Sequence, residues 1–246
     1  MFNGGRTMPV FTNYKKGACT LQDKPRVLVA CEYSRTLANR FESMGFYTVS
    51  CDILDADTKG LHYKGDVFDI IDDGWDFMVA HPPCTYLSVS GNAWLYHPED
   101  KHLPQDQRRD HPKHPRRREK AKEAAEFAKN LYGADIPYVA IENPVSRLST
   151  LWRKSDQTVQ PWWFGDDAEK ATSYWLKGLP KLEKTDVVTP TKHTTKSGKT
   201  YSTWWWETCK LPTKGGQRAH ARNKSFPGVS DAIANQWGSF VLDNIK

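Results

Sequence analysis

Three groups in this chain have a residue type and a setting suited to covalent chemistry: the thiol of Cys84 and the carboxylates of Glu142 and Asp52. Asp76-Phe77-Met78-Val79-Ala80 has the composition of a short buried strand and breaks into His81-Pro82-Pro83-Cys84. Consecutive prolines fix φ and supply no N–H, so a sheet ladder stops there and the cysteine is held at a stiff turn. A thiol so placed is a nucleophile or, alternatively, one of the buried free cysteines that line many cores. Ile136-Pro137-Tyr138-Val139-Ala140-Ile141 reads as another strand and ends in Glu142-Asn143-Pro144, an acid before a second proline corner. The same tripeptide has turn-forming composition. Asp52 closes a third strand pattern, Tyr47 to Asp52, and could hold a ligand there, with Asp55 and Asp57 as neighbours, or form a turn.

The elements that position these groups alternate. Arg26-Val27-Leu28-Val29-Ala30 predicts a strand, and Leu37, Ala38, Phe41 and Met44 recur at helical spacing from Ser34 to Met44, with Gly45 as the stop. A helix is predicted from Arg118 to Tyr132, with a narrow stripe at Ala121, Ala124, Ala125, Ala128 and Leu131 and Gly133 closing it. Strand–helix alternation predicts an α/β fold with a doubly wound, mostly parallel sheet, whose strand ends share one edge. Ligands of such sheets bind outside those carboxyl ends. Cys84, Glu142 and Asp52 are therefore expected to face one crevice.

Residues 1–24 are expected to form a loose arm, 25–144 the catalytic core with a basic loop over 89–118, and 145–246 the rest of the sheet with a small β-rich appendage. Within the last part, Ser173 to Leu176 and Asp186 to Thr189 have strand composition. Thr191 to Thr200 reads as a hairpin, and Ser230 to Ile245 as a helix.

The formal net charge is +6. Between Arg108 and Lys122 stand eight Lys/Arg against Asp110 and Glu119, so this one segment carries a charge equal to the total. Arg108, Arg109, Lys113, Arg116, Arg117 and Arg118 are the expected phosphate contacts, a solvated loop being the alternative. Cysteines 19, 31, 51, 84 and 209 show no C-x-x-C or Cys/His ligand spacing, which predicts reduced thiols in a cytoplasmic setting and no structural metal. No segment has the apolar length to cross a membrane.

Taken in order, the turn after Ala30, Asp52, Gly65-Asp66, Pro82-Pro83-Cys84, Glu142-Asn143-Pro144 and Ala232-Ile233-Ala234-Asn235 resemble the DNA cytosine-5 methyltransferases that use S-adenosylmethionine (SAM). The resemblance covers 26–144 well and 217–245 weakly. It implies a sheet of the class I SAM-dependent methyltransferase type and transfer of a methyl group to carbon 5 of cytosine through a Cys84 adduct. Glu142 would bond N3 and the exocyclic amine, and Arg218 and Arg222, in Gln217-Arg218-Ala219-His220-Ala221-Arg222, would be further catalytic groups. The cofactor would be met by Ala30, Cys31, Glu32, Tyr33 and Ser34, by Asp52 and Ile53, by Asp66 and Val67, and by Pro82 and Asn235. The implied partner is DNA, single- or double-stranded, acted on by a monomer in a bacterial or phage-infected cell. RNA, a free cytosine nucleotide, or a catalytically silent nucleic-acid binder are the alternatives. The chain departs from the family at Cys31-Glu32-Tyr33-Ser34, where no glycine occurs, at Thr85 in place of Gln and at Pro144 in place of Val. Only 145–224 is available for target recognition.

Overall fold

The computed structural model describes residues 11–12 and 24–245. Its strands are β1 (Phe11–Thr12), β2 (Arg26–Ala30), β3 (Tyr47–Asp52), β4 (His62–Lys64), β5 (Phe77–Ala80), β6 (Tyr138–Pro144), β7 (Gln157–Val159), β8 (Thr172–Lys177), β9 (Lys192–Thr194) and β10 (Thr200–Ser202). The helices are α1 (Thr36–Ser43), α2 (Arg117–Gly133), α3 (Leu148–Leu151), α4 (Thr203–Lys210), α5 (Gln217–Asn223), α6 (Pro227–Ala232) and α7 (Ser239–Asn244). A π-helical stretch, Ile233–Gly238, joins the last two.

Eight strands form one sheet in the order β1-β4-β3-β2-β5-β6-β8-β7. The pairs β4–β3, β3–β2, β2–β5 and β5–β6 are parallel, whereas β8 runs antiparallel between β6 and β7. The β9–β10 hairpin stands apart as its own two-stranded sheet. The fold is α/β with a mostly parallel mixed sheet, as expected.

Strand composition explains how the sheet is covered. Val27 and Val29 point to one face and Leu28 and Ala30 to the other, and Phe77/Val79 and Met78/Ala80 divide likewise. Both faces are buried, so these strands are continuously apolar rather than alternating. One layer is α2, whose Ala121, Ala125, Ala128 and Leu131 are buried. The small residues bring its backbone close to the sheet. The opposite layer is α1 and the C-terminal helices, with Phe41, Ile233, Trp237 and Val241 packed on Val27, Val29 and Phe77. Gly45, at φ 93°, ends α1 as its composition predicts.

Several elements differ from expectation. Residues 1–10 and 13–23 of the proposed arm lie outside the described residues, and Phe11–Thr12 pairs with β4 at the sheet edge. Gly133 is the last residue of α2, inside the helix. Asp186 to Thr189 is not a strand: the backbone amides of Thr185 and Asp186 bond the carbonyl of Trp163, and that of Val188 bonds Trp162, leaving Val187 57% exposed. Glu142-Asn143-Pro144 is no turn but the end of β6, held in register against Thr172 to Tyr174 of β8. The C-terminal helix begins earlier, at Pro227, because Asp166 accepts from the amides of Gly228 and Val229.

Candidate active site

The parallel strands β2, β3, β5 and β6 end at one edge, beneath a cavity of about 690 Å³. Its wall includes Cys31, Glu32, Tyr33 and Ser34 after β2, Asp52 at the end of β3 with Ile53 beyond it, Asp66 and Val67, Pro82 and Cys84 after β5, and Glu142 of β6. The three groups singled out for chemistry thus meet in one space.

The turn after β2 reaches its shape without glycine. Cys31 and Arg35 both occupy the left-handed region, at φ 59° and 56°. Between them, buried Glu32 accepts the α1 amides of Leu37 (2.8 Å) and Ala38 (3.2 Å), so a carboxylate of the protein itself caps this helix. Burial, then Asp52 and Asp66, raise the Cys31 thiol to about 12, so its thiolate form is disfavoured. Asp52 accepts from the amide of Leu54 at 2.9 Å and still faces the cavity, so the turn and the ligand readings are compatible. Beside it Ile53 and Leu54 are 75% and 52% exposed, an apolar lip at the mouth.

The Pro-Pro-Cys corner is held from three directions. The amide of His81 donates to Ala30 (2.9 Å), the Asn143 side chain donates to the carbonyl of Pro82 (3.2 Å), and the carbonyl of Cys84 receives the amides of Leu87 and Ser88. From α2, Arg117 donates to the carbonyl of Thr85 (3.0 Å) and Lys120 to the hydroxyl of Tyr86 (3.2 Å). Burial raises the Cys84 pKa, and the negative charge of Glu142 raises it further against the opposing Lys170. The resting group is a thiol, not the activated thiolate that the resemblance requires. Glu142 is lowered instead: burial pushes it up, but the adjacent His81 and Lys170 outweigh this.

His81 and Lys170 are the functional neighbours that the sequence reading missed. His81 Nδ1 lies 3.4 Å from Glu142 Oε2 because the β5–β6 register sets the residues after Ala80 and Ile141 side by side. Lys170 lines the cavity just before β8, and its Nζ donates to the carbonyl of Arg222 at 2.8 Å. No spacing signal marks Lys170; only the return of β8 beside β6 brings it there.

Other expected residues fall elsewhere. Ala30 is buried at the strand end and does not line the cavity. Asn235 is exposed on the π-helical stretch; Val229, Ser230 and Ile233 line the wall instead. Arg222 is on the wall, but Arg218 is not: its guanidinium bonds the carbonyls of Cys209 and Leu211 at the end of α4.

Most of the basic loop is engaged internally. Arg109 pairs with buried Asp100, Arg118 with Asp110, and Arg116 with Glu119, while Arg108 bonds the carbonyls of Lys101 and Leu103; Lys113 remains exposed. Much of this charge latches the loop. A second basic segment is hidden in the charge total, because the chain outside 108–122 sums to zero. Residues 192–224 hold eight Lys/Arg (192, 196, 199, 210, 214, 218, 222, 224) against Glu207 alone. This segment carries near-parallel rings: His193 on Trp206 at 4.3 Å, Tyr201 on Trp205 at 4.8 Å and on Trp206 at 6.2 Å, with Arg222 over Trp205. It meets the turn after β2 where the Tyr33 hydroxyl and His220 Nδ1 lie 2.9 Å apart.

No protein-family model matches the chain, and no curated protein matches it. Among the described residues there is no helix long and apolar enough to cross a membrane and no group of three or more His, Cys, Asp or Glu able to hold a metal ion.

Proposed function

We propose that this chain is a SAM-dependent methyltransferase that modifies carbon 5 of cytosine in DNA through a covalent bond to Cys84. The observation that carries this reading is the convergence of Cys84 and Glu142, at the ends of neighbouring parallel strands, on a cavity that also receives Asp52 and the turn 31–34. The sheet supports it too: without the edge strand β1, its order and the antiparallel β8 agree with the class I methyltransferase type.

The residues present fit the cofactor. Asp52 and Asp66 offer carboxylates to ribose hydroxyls and an adenine edge, the lip at Ile53 and Leu54 offers apolar cover, and Glu32 faces the cavity where an ammonium group would be compensated. SAM, when bound, supplies an electrophilic methyl group. Carbon 5 of cytosine is a weak nucleophile, and addition of the Cys84 sulfur at carbon 6 turns the ring into an enamine that is a strong one. Glu142 bonds N3 and the amine as charge develops there. Lys170 compensates the carboxylate and favours the thiolate. Because carbons 5 and 6 are inaccessible in a stacked duplex, the base enters the cavity flipped out or from an unpaired strand. The charge and stacked rings of 192–224 support a polymeric substrate over a mononucleotide.

The test is transfer of labelled methyl from SAM to duplex DNA, single-stranded DNA, RNA and dCMP, side by side, with wild type and Cys84→Ala. Transfer to a DNA arm by wild type only is expected. Label on RNA or dCMP alone would replace the substrate, and full transfer by Cys84→Ala would remove the thiol mechanism. SAM binding without transfer to any arm would favour the silent relative.

A further inference from the structure

His81 stands three residues before Cys84, and its contacts assign it little work in holding the fold. Its backbone amide bond to Ala30 is one that any residue other than proline makes. Its imidazole is largely buried, with the side chain 17% exposed, and faces Glu142, itself 16% exposed, at 3.4 Å through Nδ1. The other ring nitrogen, Nε2, is buried without a hydrogen-bond partner. A buried polar atom left unsatisfied costs stability, so the imidazole weakens the fold unless its one engaged nitrogen serves a purpose.

We propose that His81 is the positioning residue for Glu142: the imidazole engages one carboxyl oxygen, leaves the other to the substrate base, and feeds that carboxyl the proton which the base takes up. This rests on the cytosine reading above. As the Cys84 sulfur bonds carbon 6, the thiol proton passes to water and the carbon 5–carbon 6 electron pair moves toward N3. N3 takes a proton from Glu142, which is supplied from His81 Nδ1. After methyl transfer, carbon 5 loses its proton to water and the sulfur leaves as thiolate, reprotonated from water. N3 then returns its proton through Glu142 to His81.

The charged surroundings are consistent with this. Glu142 reaches the imidazole from β6, Glu32 from the turn after β2, and Lys170 from the approach to β8; Cys84 and Tyr174 lie within reach of Glu142, and Asp52 senses His81 across the cavity. Burial pulls the His81 pKa down, but Glu142 and Glu32 overcome both burial and Lys170, so it stands above its ordinary value. Glu142 stands below its own. The ionised pair therefore exists in the window between the two. It is lost as pH rises through the His81 pKa or falls through that of Glu142.

Two measurements on the full chain test the proposal. Imidazole titration by NMR should place His81 above an ordinary histidine in wild type, and Glu142→Gln should bring it down; a His81 titration unmoved by Glu142→Gln overturns the pairing. In methyl transfer, His81→Ala should lower kcat on the order of 10²-fold with SAM binding and oligonucleotide KM unchanged. Wild-type kcat should fall as pH rises through the His81 pKa. His81→Asn, which keeps a neutral donor near Nδ1, should recover part of the rate while leaving kcat flat over that range. A wild-type alkaline limb retained in His81→Asn would overturn the proton supply. If wild type methylates no substrate, the cytosine reading fails, and the titration alone still decides whether His81 and Glu142 form the pair.

Discussion

Cys31 adopts φ 59° at the turn after β2 on the cavity wall, a conformation that residues with a Cβ enter at a cost of roughly 1–2 kcal/mol. Glycine would remove that cost while adding roughly 0.5–1 kcal/mol of chain entropy to be lost on folding. Cys31→Gly should therefore lie within about 1 kcal/mol of wild type, whereas Cys31→Val should be destabilised by about 2 kcal/mol or more. Urea denaturation of the three proteins decides it; equal stability of all three would mean the turn carries no such strain. The turn after β2 thus holds a left-handed shape without glycine.

At the scale of elements, the two basic segments behave differently. In the loop before α2 and the first turn of that helix, Arg109, Arg116 and Arg118 sit in intramolecular ion pairs, and Arg117 and Lys120 hold the segment after Cys84. In the hairpin β9–β10 and its surroundings, Lys192 pairs with Glu169 and Lys210 with Glu207, while Lys196 and Lys199 stay exposed near stacked rings that reach the cavity wall through Arg222 over Trp205. Changing Lys196 and Lys199, both exposed, to Gln should weaken oligonucleotide binding and flatten its salt dependence, by about 0.7–0.9 in slope for each phosphate no longer neutralised. Arg109→Gln should chiefly loosen its loop, seen as faster proteolysis with little change in salt slope. Binding isotherms at several salt concentrations would reverse the assignment if the slope fell for Arg109→Gln and not for the hairpin variant.

For the whole molecule, the cavity is walled both by the N-terminal strands and by residues 219–233, so a bound ligand ties the start of the fold to its end. SAM at 100 times its Kd should add about 2.7 kcal/mol of stability. For a domain of this size that is a rise in Tm of about 5–10 °C. Thermal denaturation followed with and without millimolar SAM measures it, and an unmoved Tm would remove the cofactor reading.

What was legible beforehand follows the range of the interactions. Strands β2, β3, β5 and β6 and helices α1 and α2 announce themselves by apolar runs, helical spacing and proline or glycine stops, all written within a few residues. Right-handed strand–helix–strand connections then bring parallel strand ends to one edge, which was enough to unite Cys84, Glu142 and Asp52. Asp186 to Thr189 shows the opposite case: strand composition without a strand partner gives a segment tied to a neighbouring turn.

By itself the sequence determined which residues stand at the carboxyl ends of the parallel strands, because local pattern and chain topology suffice for that. Only the tertiary structure decided what stands beside them. His81 meets Glu142 through the β5–β6 register, Lys170 arrives with β8, and Arg218 is drawn away to the end of α4. Those placements depend on pairings between distant segments, where a shift of one residue would turn each side chain to the other face of the sheet.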